Sequence, residues 1–154
     1  MKNFKIILLL IMLIPIQTVM AQLQEKYYTS KTLNGTFEEV TRKVTSVLLE
    51  QGFGVITEID MDVKLKEKLD DIEMNPYKIL GVCDPSFAYQ SIQFEENIGL
   101  FLPCKVLVKD LGNGSVEVVM VNPVVLMSML GNKDLIEIAA KVNDKFNAAL
   151  QQLQ

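Results

Sequence analysis

Two runs of alternating residues meet at one turn-rich segment, and together they call for antiparallel pairing. In an extended chain, Leu102, Cys104, Val106 and Val108 fall on one face and Lys105 and Lys109 on the other. Asp110-Leu111-Gly112-Asn113-Gly114 then supplies the residues of a hairpin loop. Ser115–Val121 returns as the partner strand, and the outgoing strand reads from Ile98 to Lys109. Lys105 and Lys109 read as solvating charges on the exposed strand face.

The rest of the chain supplies further strands and the helices to cover them. A first strand is expected near Tyr27–Thr32, broken by Asn34-Gly35. Thr36-Phe37-Glu38-Glu39 has the form of a capping box, and the helix after it carries Phe37, Val40, Val44, Val47 and Leu48 on one stripe before Gly52. Phe53–Asp60 reads as a strand with Val55, Thr57 and Ile59 facing one way and Ile56, Glu58 and Asp60 the other. Asp62 is placed to cap a short helix over Val63–Leu69, with Leu65 and Leu69 stacked. Tyr77–Cys83 is an apolar strand, and Asp84-Pro85 starts a helix that reaches about Phe94. Asn122-Pro123 opens a short helical stretch to Leu130, where Gly131 stops it. From Lys133 or Asp134 to about Leu153 the apolar residues keep the helical period. The fold class is α+β: one domain over residues 22–154, a mainly antiparallel sheet and two main covering helices with short extra ones.

The first 21 residues are set apart from that domain. Lys2 and Lys5 precede an apolar run too short to span a bilayer, and Val19-Met20-Ala21 offers short residues before a cut at Gln22. This is the pattern of a secretory signal peptide, so the mature protein is expected outside the cytoplasm, periplasmic or extracellular. No later segment is apolar for long enough to cross a membrane.

Charge and composition exclude several functions. The net charge is −4 at pH 7 and becomes more negative once Lys2 and Lys5 leave, which argues against a nucleic-acid partner. There is no histidine, so the common Ser-His-Asp and Cys-His nucleophile systems are absent, as is His-rich metal ligation. Two cysteines alone cannot complete a structural zinc site, and no glycine-rich loop has phosphate-cradling spacing. No metal and no cofactor is expected.

Several motifs in order carry a family resemblance. They are Gly52-Phe53-Gly54-Val55-Ile56-Thr57-Glu58-Ile59-Asp60, Lys66-Glu67-Lys68-Leu69, Pro76-Tyr77-Lys78-Ile79-Leu80-Gly81, Cys83-Asp84-Pro85, Ala88, and Ile98-Gly99-Leu100 to Leu102-Pro103-Cys104. This run resembles the domain of unknown function 302 family over about residues 52–123. The resemblance implies a β-α-β-β-β-β-α arrangement similar to the TATA-binding-protein-like fold, and a homodimer, with no established activity to carry over. The chain departs from the family pattern at Asp84, where asparagine is frequent, and in its signal peptide.

The candidate site residues are Cys83, Cys104, Tyr77, Glu58 and Asp60. Cys83 precedes a helix start, where backbone amides favour a thiolate, while the charge of Asp84 opposes one. Buried free thiols, a disulfide, and a reactive thiol all stay open for the pair. Glu58 and Asp60 share a strand face about 7 Å apart, where they can bind a cation or be neutralised by Lys66. Tyr77 can line a cleft or simply pack, and Met127 and Met129 can offer a flexible apolar contact. The expected function is a non-catalytic binding or interaction module holding a small apolar or amphipathic ligand between sheet and helices. Two alternatives are a thiol-dependent redox protein or enzyme using Cys83 with Cys104, and a structural envelope dimer.

Overall fold

The computed structural model describes residues 26–154. The signal peptide expected over residues 1–21 lies outside them. Strand β1 (Tyr28–Asn34) is followed by helix α1 (Phe37–Glu50), β2 (Gly54–Asp60) and the short α2 (Met61–Lys66). Then come β3 (Tyr77–Cys83), α3 (Pro85–Phe94), a 3-10 helix (Glu96–Phe101), β4 (Cys104–Asp110) and β5 (Ser115–Val121). Helices α4 (Pro123–Ser128) and α5 (Lys133–Gln152) close the chain. The strands form one sheet in the order β1-β5-β4-β3-β2, every pair antiparallel. This is the expected α+β class and strand-helix order, with α2, α3, α4 and the 3-10 helix as the extra short elements.

Local chemistry explains where the two long helices begin. Thr36 Oγ1 accepts from the Glu39 amide at 3.3 Å, and the Glu39 carboxylate accepts from the Thr36 amide at 3.1 Å, completing the capping box. Asn132 Oδ1 accepts from the Asp134 amide at 3.0 Å and starts α5. Each helix then presents one apolar stripe, Val40, Val44, Val47 and Leu48 from α1, and Ile138, Val142, Phe146, Ala149 and Leu150 from α5. Both stripes pack on the same sheet face, against Leu80, Val82, Val106, Val108, Val116, Val118 and Met120. Fully burying a side chain of this size contributes about 1.5–3 kcal/mol. Phe53 and Phe146 meet there with ring centroids 4.7 Å apart. A smaller cluster of Ile98, Met127, Leu135 and Ala139 sits where the 3-10 helix, α4 and the start of α5 meet.

Four expectations are corrected. The strand expected from Ile98 begins only at Cys104, because Glu96–Phe101 winds as a 3-10 helix. Glu95 accepts from the Asn97 amide at 3.0 Å, which turns the chain, and Ile98 drops into the smaller cluster while Leu100 points to solvent. The second correction concerns β2. A bulge between Val55 and Thr57 sets Val55 opposite Val82 but Thr57 opposite Gly81, so these two residues face opposite sides. The third is the short helix, which runs over Met61–Lys66 directly from the strand and leaves Leu69 exposed beyond its end. The fourth is Asp62, which does not cap it. Its carboxylate accepts from the Tyr77 amide at 3.2 Å and pairs with Lys66 at 3.5 Å, because the first amide of β3 has no neighbouring strand acceptor there.

Among the described residues, neither long helix packs on the second sheet face. A transverse row of register partners crosses it, with Ile59 beside Ile79, Ile79 beside Leu107, and Leu107 beside Val119. Lys109 pairs with Glu117 at 2.6 Å in the next row. No helix among the described residues is long and apolar enough to cross a membrane.

Candidate functional site

A cavity of ≈ 290 Å³ lies between the Cys83 end of the sheet and the helices around it. Its floor is Val82, Cys83 and Cys104, and its walls include Phe87 and Ala88 of α3, Phe101 and Leu102, Leu126 and Met127 of α4, and Ile138 and Val142 of α5. The lining is predominantly apolar. Its polar groups are the two thiols, Ser91, Asp84 and Lys105. A concave, mostly apolar site with a few converging polar groups is the usual form of a small-molecule pocket.

The register brings both cysteines to the same end of the sheet. Cys104, the first residue of β4, stands opposite Val82, and Cys83 is the last residue of β3. The chain leaves the sheet there in both directions, so neither cysteine is covered by a continuing strand. Pro103 packs against Gly81, leaving no room for a side chain at that position. The Leu102–Pro103 peptide bond is cis.

Electrostatics hold both thiols protonated at neutral pH. Burial, and then the negative charge of Asp84, push the Cys83 thiol up. Burial pushes the Cys104 thiol up to about 11, with Cys83 adding to the effect and Lys105 opposing it. The cysteines are free. The amides at the start of α3 do not reach the sulfur, because Asp84 Oδ1 takes those of Ser86 at 3.0 Å and Phe87 at 3.5 Å. A thiol is a nucleophile only as thiolate, so this surrounding disfavours attack by either sulfur.

Asp84 is itself held by α5. Lys145 Nζ donates to Asp84 Oδ2 at 2.8 Å and lies 5.0 Å from the Phe87 ring centroid and 5.7 Å from that of Phe53. Burial raises the Asp84 carboxyl, but Lys145 and the two amides outweigh it and the net shift is downward. Nothing local in the sequence links Asp84 to a residue in the last helix, and Lys145 was not among the candidate residues. The signal that was present is its place one residue before Phe146, on the border of the buried stripe.

The other candidate residues lie elsewhere. Tyr77 begins β3, about 20 Å along the strand from Cys83. Glu58 and Asp60 share the helix-covered face at that same far end, opposite Leu80 and Lys78. Lys78 Nζ reaches both, at 3.2 Å and 2.9 Å, so Lys78 rather than the expected Lys66 neutralises them. Among the described residues no group of three or more Cys, Asp or Glu side chains is arranged to hold a metal ion. Met127 lines the cavity, whereas Met129 is exposed.

Fold and cavity define the class: a small α+β domain whose antiparallel sheet, covered by helices on one face, encloses an apolar pocket with two protonated thiols. The chain belongs to the family described as Domain of unknown function DUF302, whose profile matches residues 29–153. It is similar to a solved structure from Bacillus stearothermophilus described as an uncharacterized conserved protein DUF302. The two chains are 29% identical with a TM-score of 0.78, over 84% of this chain and 100% of that one. None of the curated proteins matches the sequence.

Proposed function

We propose that the protein is a non-catalytic binding module that takes up a small apolar or amphipathic molecule, acting outside the cytoplasm after loss of residues 1–21. The apolar cavity over Cys83 and Cys104 is the observation that carries this reading. The raised thiols support it, because they leave the cavity without a ready nucleophile. The test is native mass spectrometry of the mature protein, alone and after exposure to 1-decanol. Ala88 lines the cavity, and Ala88→Phe fills it. The reading expects a 1:1 decanol adduct on the wild type and none on the variant. A wild type that takes up no decanol, or a variant that takes it up equally, overturns it.

A second reading has one observation in its favour. Two thiols on one cavity can exchange with a disulfide, which is the redox alternative. It requires a thiolate at neutral pH, and rapid labelling of native protein by a thiol reagent would establish it. The dimer proposal has separate support in the apolar row on the second sheet face, where Ile59 is 38% exposed and Ile79 and Leu107 are half-buried. In that proposal the row is the surface two copies share, whether the dimer binds a ligand or serves the envelope as a structural element.

A further inference from the structure

The charges around the cavity are not equally free to meet a ligand. Asp84 is committed three times over, to Lys145 and to the amides of Ser86 and Phe87. That commitment removes the start of α3 as an anion site and leaves Lys145 paired. Lys105 is the contrasting group. It lines the cavity and is exposed. It pairs with no carboxylate among the described residues. Its ammonium donates one hydrogen bond, to the Pro103 carbonyl at 2.6 Å, which leaves two N–H groups for another partner. A lysine can lay its apolar stem along an apolar wall and keep its charge in water. One uncompensated cation thus stands at the rim of an apolar cavity.

Resting on the ligand-binding reading above, we infer that the cavity takes a single-chain amphiphilic anion, with its carboxylate on Lys105 and its alkyl chain against Cys104, Phe87 and Met127. The volume sets the scale of the chain. A cavity of ≈ 290 Å³ accommodates about ten groups the size of a water molecule or a methylene. An alkyl carboxylate of about ten carbons is therefore a probe of the right scale. A neutral alcohol of that length fills the same space but offers Lys105 a neutral acceptor in place of an opposite charge. A quaternary ammonium of that length brings a second positive charge to the rim and is disfavoured.

The test compares three probes of one chain length by calorimetric titration at low salt: decanoate, 1-decanol and decyltrimethylammonium. Decanoate is expected to bind about tenfold more tightly than decanol, with the cation weakest. Lys105→Met keeps an apolar stem at an exposed position and is expected to lose far more decanoate affinity than decanol affinity, bringing the two probes together. Equal binding of decanoate and decanol to the wild type, a lead for the cation, or an unchanged decanoate preference in Lys105→Met overturns the inference while leaving the cavity reading standing. Failure of all three probes to bind overturns both.

Discussion

Lys145 near the end of α5 donates to Asp84, the residue that caps α3, across 61 positions of sequence and a distance of 2.8 Å. The Asp84 side chain is 11% exposed and that of Lys145 34%, so the pair is screened less than a surface ion pair. One carboxylate thus starts a helix, anchors it to another, and closes one side of the apolar cavity.

Separating those roles is a matter of two substitutions. Asp84→Asn keeps a capping oxygen and loses the charge, so it is expected to cost about 1 kcal/mol. Asp84→Ala loses both and is expected to cost about 2–3 kcal/mol. Urea unfolding of each variant with and without Lys145→Met measures the coupling. Equal costs for Asn and Ala would mean that the cap contributes nothing.

The thiols give a pH dependence with a defined sign. Burial raises Cys104 from 9.0 to about 11, so between those values the unfolded chain releases a proton that the folded protein keeps. Stability from this group is complete below pH 9 and is lost as the pH rises towards 11. The urea midpoint is expected to fall across that window, and more shallowly in Cys104→Ala, in which the lysines still titrate. Parallel slopes in the two proteins would remove the assignment.

Thiol labelling follows from the same burial. At pH 7.5 an aromatic disulfide reagent is expected to modify Cys83 slowly and Cys104 only after denaturant is added. A burst of one equivalent on native protein would instead favour the redox alternative.

Gly81 offers a steric prediction. A Cβ there would stand 2.1 Å from Thr57 Oγ1 and 2.6 Å from Pro103 Cγ. The proline ring has little freedom to move, so Gly81→Ala is expected to cost about 2 kcal/mol. It should also shift the chain at Pro103 that borders the cavity, reducing decanol uptake. Thermal unfolding and the decanol titration check the two halves separately.

The second sheet face is the place to test self-association. Leu107→Asp puts a charge in the middle of the apolar row without touching the helix-covered core. Sedimentation is expected to show a dimer for the wild type and a folded monomer for the variant. A wild type that sediments as a monomer would end the dimer proposal.

Local chemistry was sufficient for most of the fold. The Thr36 capping box, the Asp84-Pro85 start of α3, the hairpin at Asp110–Gly114 and the long apolar stripe of α5 each act within a few residues, so spacing alone located them. The two cysteines were legible as the chemically distinct residues, and they do share one space. Local pattern failed where a distant partner outweighed it. Asp62 serves the Tyr77 amide instead of its own helix, a bulge turns Thr57 away from Val55, and Ile98 leaves the strand pattern for a cluster built by α4 and α5. The cavity itself is also beyond local reading, since it is space left between elements brought together by burial. Only the packed structure decided that Lys145 neutralises Asp84, that Lys78 holds Glu58 and Asp60, and that Lys105 meets no carboxylate among the described residues at an apolar rim, because Coulomb and hydrogen-bond partners are chosen by distance in space, which sequence order does not encode.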